Sequence, residues 1–166
     1  MIFGVDLGTR RLAIACPPAG YVWVDSVERV ADRRDFATEV QAGSELGKRA
    51  RLALLRAELS YAETNLFIAE RPLLHRHPPN VKTAVGMGLS AGAALADMPG
   101  RVVLLEHPSL WKKALCDNGN ASKGDIRTWL ETHHPACAAL CGESEDAFDA
   151  VGIALGGSVL ASAGLL

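Results

Sequence analysis

The first 27 residues constrain the fold more than any other part of the chain. Three apolar runs, at about residues 2 to 7, 11 to 16 and 21 to 27, are separated by turns at Gly8 and at residues 17 to 20. Short runs of this kind, bounded by Gly and Pro, predict strands. Because the turns are too short for a helical crossover, the three strands are expected to form an antiparallel meander.

After the meander, helical and strand-like patterns alternate. The segment LFIAE, at residues 66 to 70, follows a long helical pattern and predicts a strand that runs parallel to its neighbour. A second such strand is expected at residues 101 to 106, after a helix of small residues at about 80 to 96. The order predicts a single α/β domain over residues 1–166, in which helices flank a five-stranded mixed sheet.

The remaining helices are marked by their apolar faces or by their first residues. The polar stretch from Glu28 to Gly43 leads into the long helix. Pro108 and Ser122 mark the starts of two later helices, and a last helix is expected from about Ser144 to Leu160. The long helix shows apolar residues at three- and four-residue steps: Leu46, Ala50, Ala53, Leu54, Ala57 and Tyr61.

The composition is that of an ordinary globular domain. The chain has 166 residues, of which 49% are hydrophobic and 22% charged. No basic and apolar leader opens the sequence, and no uninterrupted apolar stretch approaches 18 residues, so a cytoplasmic protein is expected. Four unevenly spaced cysteines are too few for a disulfide scaffold and predict reduced thiols: Cys16, Cys116, Cys137 and Cys141.

Four acidic residues stand where a charge is costly. Asp6 lies within the apolar run IFGVDLG, and Glu70 ends the segment LFIAE. Asp146 and Asp149 lie in the apolar pattern EDAFDAVGIAL. A carboxylate in such a place loses hydration, which requires a cation or several donors in place of water. Since two Mg²⁺ or Mn²⁺ ions held about 4 Å apart by carboxylates can clamp a phosphodiester, cleavage of a nucleic-acid backbone is the candidate reaction.

The net charge of −2 would by itself disfavour a nucleic-acid partner. The distribution of charge matters more than the sum, because bound cations would cancel the four acids and leave a basic remainder. The basic residues cluster along the chain: Arg10 and Arg11, Arg33 and Arg34, Lys48 with Arg49 and Arg51, the segment from Arg71 to Lys82, and Lys112 with Lys113 and Lys123.

With these motifs, nearly the whole chain resembles the RuvC-type Holliday junction resolvases, which have a ribonuclease H-like fold. The shared motifs are GVDLGTRR on the first strand, FIAERP on the fourth and DAFDAVGIAL on the last helix. The resemblance implies a homodimer that resolves Holliday junctions with two Mg²⁺ or Mn²⁺ ions per site and leaves 5′-phosphates. It also implies two catalytic lysines, Lys112 and Lys123, beside four metal ligands: Asp6, Glu70, Asp146 and Asp149.

One position departs from the family pattern and bears on substrate choice. Many family members carry a base-stacking aromatic residue where this chain has Leu73. A leucine can wedge between bases but cannot stack on them. The basic loop around it predicts a grip on backbone phosphates and activity on flaps and splayed ends. The predicted DNA-binding residues are Arg10, Arg11, Arg71, Leu73, His75, Arg76, His77, Lys82, Lys112, Lys113 and Lys123.

Two further patterns allow more than one interpretation. The small residues of the helix at 80 to 96 predict close approach of another backbone, either within the fold or across a dimer interface. Trp23, Trp111 and Trp129 are expected to be packing residues. The segment HHPACAALC is expected to be a packed turn, although a small zinc site is conceivable from four of its side chains: His133, His134, Cys137 and Cys141.

Three alternatives to the resolvase interpretation remain open. A YqgF-type nuclease of the same fold also suits the motif GVDLGTRRLAIA. A DNA-binding module without catalytic activity would not need the intact acidic set. An ATP-binding phosphotransferase of the actin and sugar-kinase group uses a similar first strand and turn, but it needs two such domains, and 166 residues hold only one.

Overall fold

A computed structural model describes residues 1–8, 10–27, 36–59, 64–70 and 81–166, with side chains from residue 85 onward in the last range. Strands and helices alternate after three initial strands, as the sequence predicts. The five strands are β1 (Ile2–Leu7), β2 (Arg11–Cys16), β3 (Tyr21–Ser26), β4 (Leu66–Glu70) and β5 (Arg101–Leu105). The six helices are α1 (Phe36–Arg56), α2 (Val81–Ala96), α3 (Pro108–Cys116), α4 (Lys123–His133), α5 (Pro135–Cys141) and α6 (Glu145–Ser162).

The sheet has the order β3-β2-β1-β4-β5. The strands β1, β2 and β3 pair antiparallel, and a 3₁₀ turn at Pro17–Ala19 joins the last two. Strand β4 pairs parallel with both β1 and β5. The predicted five-stranded mixed sheet, with an antiparallel meander followed by parallel strands, is therefore confirmed.

Helices cover both faces of the sheet, because alternate residues of each strand point to opposite sides. Phe3 and Val5 of β1 pack with Phe67 of β4 beneath helices α1 and α2. Ile68 of β4 points the other way, into a cluster formed with α3, α4 and α6. The second cluster includes the fully buried Trp111, and its other large members are Ile126, Leu130, Phe148, Val151 and Ile153.

Helix α6 lies unusually close to the centre of the sheet. A methyl group on Gly4 would overlap the carbonyl oxygen of Ala150, and one on Gly157 would overlap the side chain of Ile68. Only glycine leaves room for this approach of helix and strand. The close contact at Gly4 brings the first turns of α6 beside the residue two positions further along β1, which is Asp6.

Helix α1 begins earlier than the sequence predicts. The stretch expected to be a polar lead-in is helical from Phe36, and Tyr61 lies outside the described residues. Gly43 and Gly47 do not interrupt the helix because they face α2: a methyl group on Gly43 would overlap the backbone of Ser90. Tertiary packing here overrides the low helix propensity of glycine.

The small residues of α2 lie on two different sides of the helix. Ala91 and Ala94 are buried inside the fold. Gly88 and Gly92 have open space where a side chain would point. The helix therefore packs on α1 with one side and presents small residues on another.

The segment HHPACAALC is not a turn but contains the short helix α5, which Pro135 begins. All four cysteines are free thiols, in agreement with the prediction. Among the described residues, no helix is long and apolar enough to cross a membrane.

Candidate active site

The four predicted acids come from three elements that meet at one end of the sheet. In the parallel pair β1 and β4, Val5 lies opposite Ala69, so the next residues, Asp6 and Glu70, are neighbours at the carboxyl ends of both strands. The alternation that buries Val5 and Ala69 under α1 turns both acids toward the face that α6 covers. The first turns of α6 supply Asp146 and Asp149.

The electrostatics of Asp6 show that the carboxylates act on one another. Burial and, in decreasing order, the charges of Asp149, Asp146 and Glu70 together raise the pKa of Asp6 from 3.8 to about 7. Lys123 opposes the shift. When ionisation of a carboxyl group is this costly, a nearby cation stabilises the ionised form strongly.

Glu70 is held by a hydrogen bond from Trp111. The indole Nε1–H donates to Oε1 of the carboxylate. Burial raises the pKa of Glu70, and the hydrogen bond from Trp111 opposes this rise because it favours the ionised form. The sequence identified Trp111 correctly as a packing residue but gave no role to its N–H. A buried indole N–H requires a hydrogen-bond acceptor, and this requirement could have indicated from the sequence that Trp111 contacts a polar group.

Lys123 is the cation closest to the acids among the described residues. Its Nζ lies 3.1 Å from Oδ2 of Asp149 and 3.3 Å from Oε2 of Glu145. A capping box in which Ser122 and Asp125 bond each other's backbone fixes the start of α4 at this lysine. Burial raises the pKa of Asp149, while the charge and hydrogen bond of Lys123 lower it.

Lys112 lies at the same end of the sheet but has a different partner. Its Nζ donates to the carbonyl oxygen of Ala121 at 2.8 Å and lies 5.6 Å from the ring centroid of Trp111. The positive charge of Lys112 lowers the pKa of both Glu70 and Asp149. Both predicted catalytic lysines are thus electrostatically coupled to the acids.

The other predicted DNA-binding residues are placed less uniformly. Arg11 is 70% exposed and lies 3.4 Å from Asp146, at the rim of the site. Arg10 is largely buried, with its guanidinium 3.5 Å from Glu39 of α1. Lys113 lines a cavity with Leu110, Trp129 and Val159. The side chain of Lys82 lies outside the described residues, as do Arg71, Leu73, His75, Arg76 and His77.

The donor types of the site fit a hard divalent cation, because all four acids offer carboxylate oxygens. Their positions do not form a complete coordination sphere. Within the described ranges, no group of three or more His, Cys, Asp or Glu side chains is placed to hold a metal ion. Burial, and then the charges of neighbouring acids, raise the pKa of Asp6, Glu70 and Asp149, so these groups sense one another without surrounding an ion.

The same result applies to the conceivable zinc site, whose four residues are all described. His133 is instead engaged locally: its Nδ1 lies 2.9 Å from the carbonyl oxygen of Trp129, and its ring stacks on the indole. Burial and, to a smaller extent, the neighbouring Cys137 raise the pKa of Cys141 to about 11, which disfavours the thiolate that would bind zinc. The histidines and cysteines therefore do not come together as a metal site.

The sheet order and the helices on both faces define a ribonuclease H-like α/β fold. The structure of Thermus thermophilus RuvC has this fold and matches with a TM-score of 0.58. The match covers 99% of this chain and 96% of RuvC, and the two sequences are 20% identical. A second structure, of T. thermophilus RuvC in complex with Holliday junction substrate, gives a TM-score of 0.60 at the same identity and coverage. No protein-family model and no curated protein matches the sequence.

Proposed function

We propose that this chain is a metal-dependent, structure-selective DNA endonuclease of the RuvC type, formed by a single domain over residues 1–166. Its substrates are Holliday junctions and other branched DNA, including flaps and splayed ends. The observation that carries the proposal is the set of acids from β1, β4 and α6 on one face of the sheet, with Asp6 raised to a pKa of about 7. The shared fold with a protein solved on a Holliday junction supports the choice of substrate.

The residues that would hold two Mg²⁺ or Mn²⁺ ions are Asp6, Glu70, Asp146 and Asp149. When bound, such ions lower the pKa of an attacking water and stabilise the departing oxygen of a phosphodiester. The carboxylates of the chain would hold and orient the ions, and the partly buried Asp6 would approach them from the sheet. Cleavage of the bond to the 3′ oxygen leaves a 5′-phosphate.

The two lysines provide positive charge for the scissile phosphate. Lys123 is about half exposed and reaches the acids from the start of α4, so its ammonium group can also contact a phosphate brought to the site. Lys112 is held in place by the carbonyl oxygen of Ala121 and acts as a fixed point charge. Arg11, exposed at the rim beside Asp146, extends the basic surface toward the DNA backbone.

Paired incision of a junction requires two active sites, which a twofold-symmetric homodimer supplies. We place the interface on α2, at the surface formed by Val85, Gly88, Leu89 and Gly92. Val85 is 42% exposed and Leu89 39% exposed, while the two glycines face open space. Apolar side chains beside glycines allow two helices to approach closely.

The proposal is tested with labelled four-way junction, flap and linear duplex DNA in Mg²⁺, Mn²⁺ or EDTA. We expect nicking of branched DNA that requires a divalent ion and falls at least about 100-fold in Asp149→Asn, the scale of losing one electrostatic stabiliser of a transition state. Asp117→Asn is the matched control, because Asp117 is an exposed residue at the end of α3 that has positive φ, which Asn also adopts readily.

Four outcomes would count against the proposal. Nicking by Asp149→Asn at the wild-type rate would refute the site assignment. Binding of branched DNA without cleavage in any metal would favour a binding module, and ATP turnover without DNA would favour a phosphotransferase. Cleavage restricted to substrates other than branched DNA would move the chain toward another nuclease of the same fold, such as the YqgF type.

A further inference from the structure

We infer that Trp111 is a positioning residue of the proposed nuclease site: its indole N–H orients the Glu70 carboxylate, and its ring packs against α6 beside the turn that carries Asp149. The inference rests on the proposed function for its catalytic consequence. The contacts themselves are a property of the fold and are tested separately below.

The hydrogen bond to Glu70 is the first observation. Trp111 is 1% exposed and lies one turn into α3, 41 residues away from Glu70 in the chain. Its Nε1–H donates to Oε1, so one oxygen of the carboxylate has a fixed donor. A hydrogen bond to an ionised acceptor is stronger and more directional than one between neutral groups. The bond therefore restricts the rotation of a side chain that ends a strand.

The packing of the ring on α6 is the second observation. A methyl group on Gly152 would lie 2.6 Å from Cζ3 of the indole, and one on Gly156 would overlap the carbonyl oxygen of Trp111. Both glycines are buried, and Gly152 lies three residues after Asp149, on the next turn of the same helix. The indole thus occupies a space that α6 leaves open for it, directly beside the turn that carries an acid of the site.

Together these contacts make one side chain touch both halves of the acidic set. The N–H end meets Glu70, one of the two acids from the sheet, and the ring meets the helix that supplies Asp146 and Asp149. Phe or Leu at position 111 could fill much of the same volume but would offer no donor to Glu70. Ligand partners of this kind are worth about 10- to 100-fold in metal affinity or activity in metal sites.

The first experiment observes the indole directly and needs no enzyme activity. The chain has three tryptophans, so a ¹H–¹⁵N spectrum of the full chain contains three indole N–H signals. The signal lost in Trp111→Phe identifies Trp111, and Trp129→Phe identifies the matched control, whose ring stacks on His133. We expect titration with MgCl₂ to shift the Trp111 signal and to leave the Trp129 signal in place. In Glu70→Gln, the Trp111 signal is expected to start at a different position and to respond less to Mg²⁺.

The second experiment compares nicking of a four-way junction by Trp111→Phe and Trp129→Phe. We expect Trp111→Phe to lower kcat about 10-fold, to leave KM for DNA unchanged, and to raise the Mg²⁺ concentration for half-maximal rate several-fold. Trp129→Phe is expected to change none of the three. Since a packing defect alone would lower stability without changing the Mg²⁺ dependence, unfolding by urea is measured for both variants in EDTA.

Two results would overturn the inference: a Trp111 signal that does not respond to Mg²⁺ in the wild-type chain, or a folded Trp111→Phe with wild-type kcat and Mg²⁺ dependence. If Trp111→Phe does not fold, Trp129→Phe and Trp23→Phe assign the other two signals. The comparison of wild type with Glu70→Gln then decides, because the direct N–H contact predicts a shift of the remaining signal. If the wild-type chain cleaves no DNA but the Mg²⁺ response is present, the proposed function fails and the positioning of Glu70 by Trp111 stands.

Discussion

The partly buried Asp6 should make this chain less stable as the pH rises, and Asp6→Asn should remove the effect. The folded chain holds the Asp6 proton up to a pH of about 7, whereas the unfolded chain releases it near 3.8. Between these values the folded state binds more protons, so the free energy of unfolding falls with increasing pH. Each step of one in pKa is worth about 1.4 kcal/mol, so ionised Asp6 costs the folded chain about 4 kcal/mol above pH 7.

Urea unfolding in EDTA at pH 5 and pH 8 measures this cost. We expect the advantage of Asp6→Asn over wild type to grow by about 3 kcal/mol from pH 5 to pH 8, because most of the linkage falls in that interval. Asp117→Asn removes an exposed carboxylate and should show no such growth. Addition of Mg²⁺ at pH 8 should stabilise wild type more than Asp6→Asn. An advantage that is equal at both pH values would refute the reasoning, since it would mean that Asp6 is not forced to titrate near neutral pH.

Two further predictions concern packing and assembly. Gly4→Ala should lower the free energy of unfolding, measured with urea, by about 3 kcal/mol, because the added methyl group overlaps Ala150. The control is Gly124→Ala, where a methyl group makes only ordinary contacts. Its free energy of unfolding should stay within about 1 kcal/mol of wild type. Leu89→Glu should convert a sedimenting dimer to a monomer by placing a charge in the proposed interface, whereas Val159→Glu, at an exposed position of α6, should not. A wild-type chain that sediments only as a monomer on a four-way junction would contradict the dimer.

Much of the fold could be predicted because its signals are local. The short turns at Gly8 and around Pro17 allow the first three strands to pair only antiparallel, and they do so in the structure. The start of α1 could not be predicted in the same way. Gly43 and Gly47 are poor helix formers, and their suitability depends on the backbone of α2, which the sequence does not place next to them.

The acids of the site also differ in how far the sequence predicts their positions. Asp6 and Glu70 follow residues that are opposite each other in a parallel pair, so their proximity follows from predicting β1 and β4 as neighbours. The position of α6 depends on the close contact between Gly4 and Ala150, which no sequence pattern predicts. Arg10 shows the same limit: its cluster with Arg11 suggested a DNA contact, but the fold brings its guanidinium to Glu39 of α1.

The arrangement of charge connects the stability of the chain to its proposed chemistry. Lys123 and Arg11 lie against Asp149 and Asp146, so the helical acids have cationic partners, whereas Asp6 is surrounded by acids and keeps a raised pKa. A cost of about 4 kcal/mol is a large part of the 5 to 15 kcal/mol that holds a typical domain together. A protein tolerates such a costly residue where it serves a function. A divalent ion is bound most strongly by the carboxylate whose charge the protein neutralises least. Asp6 is therefore the acid whose removal should separate the two properties most clearly, raising stability in EDTA while abolishing metal-dependent cleavage.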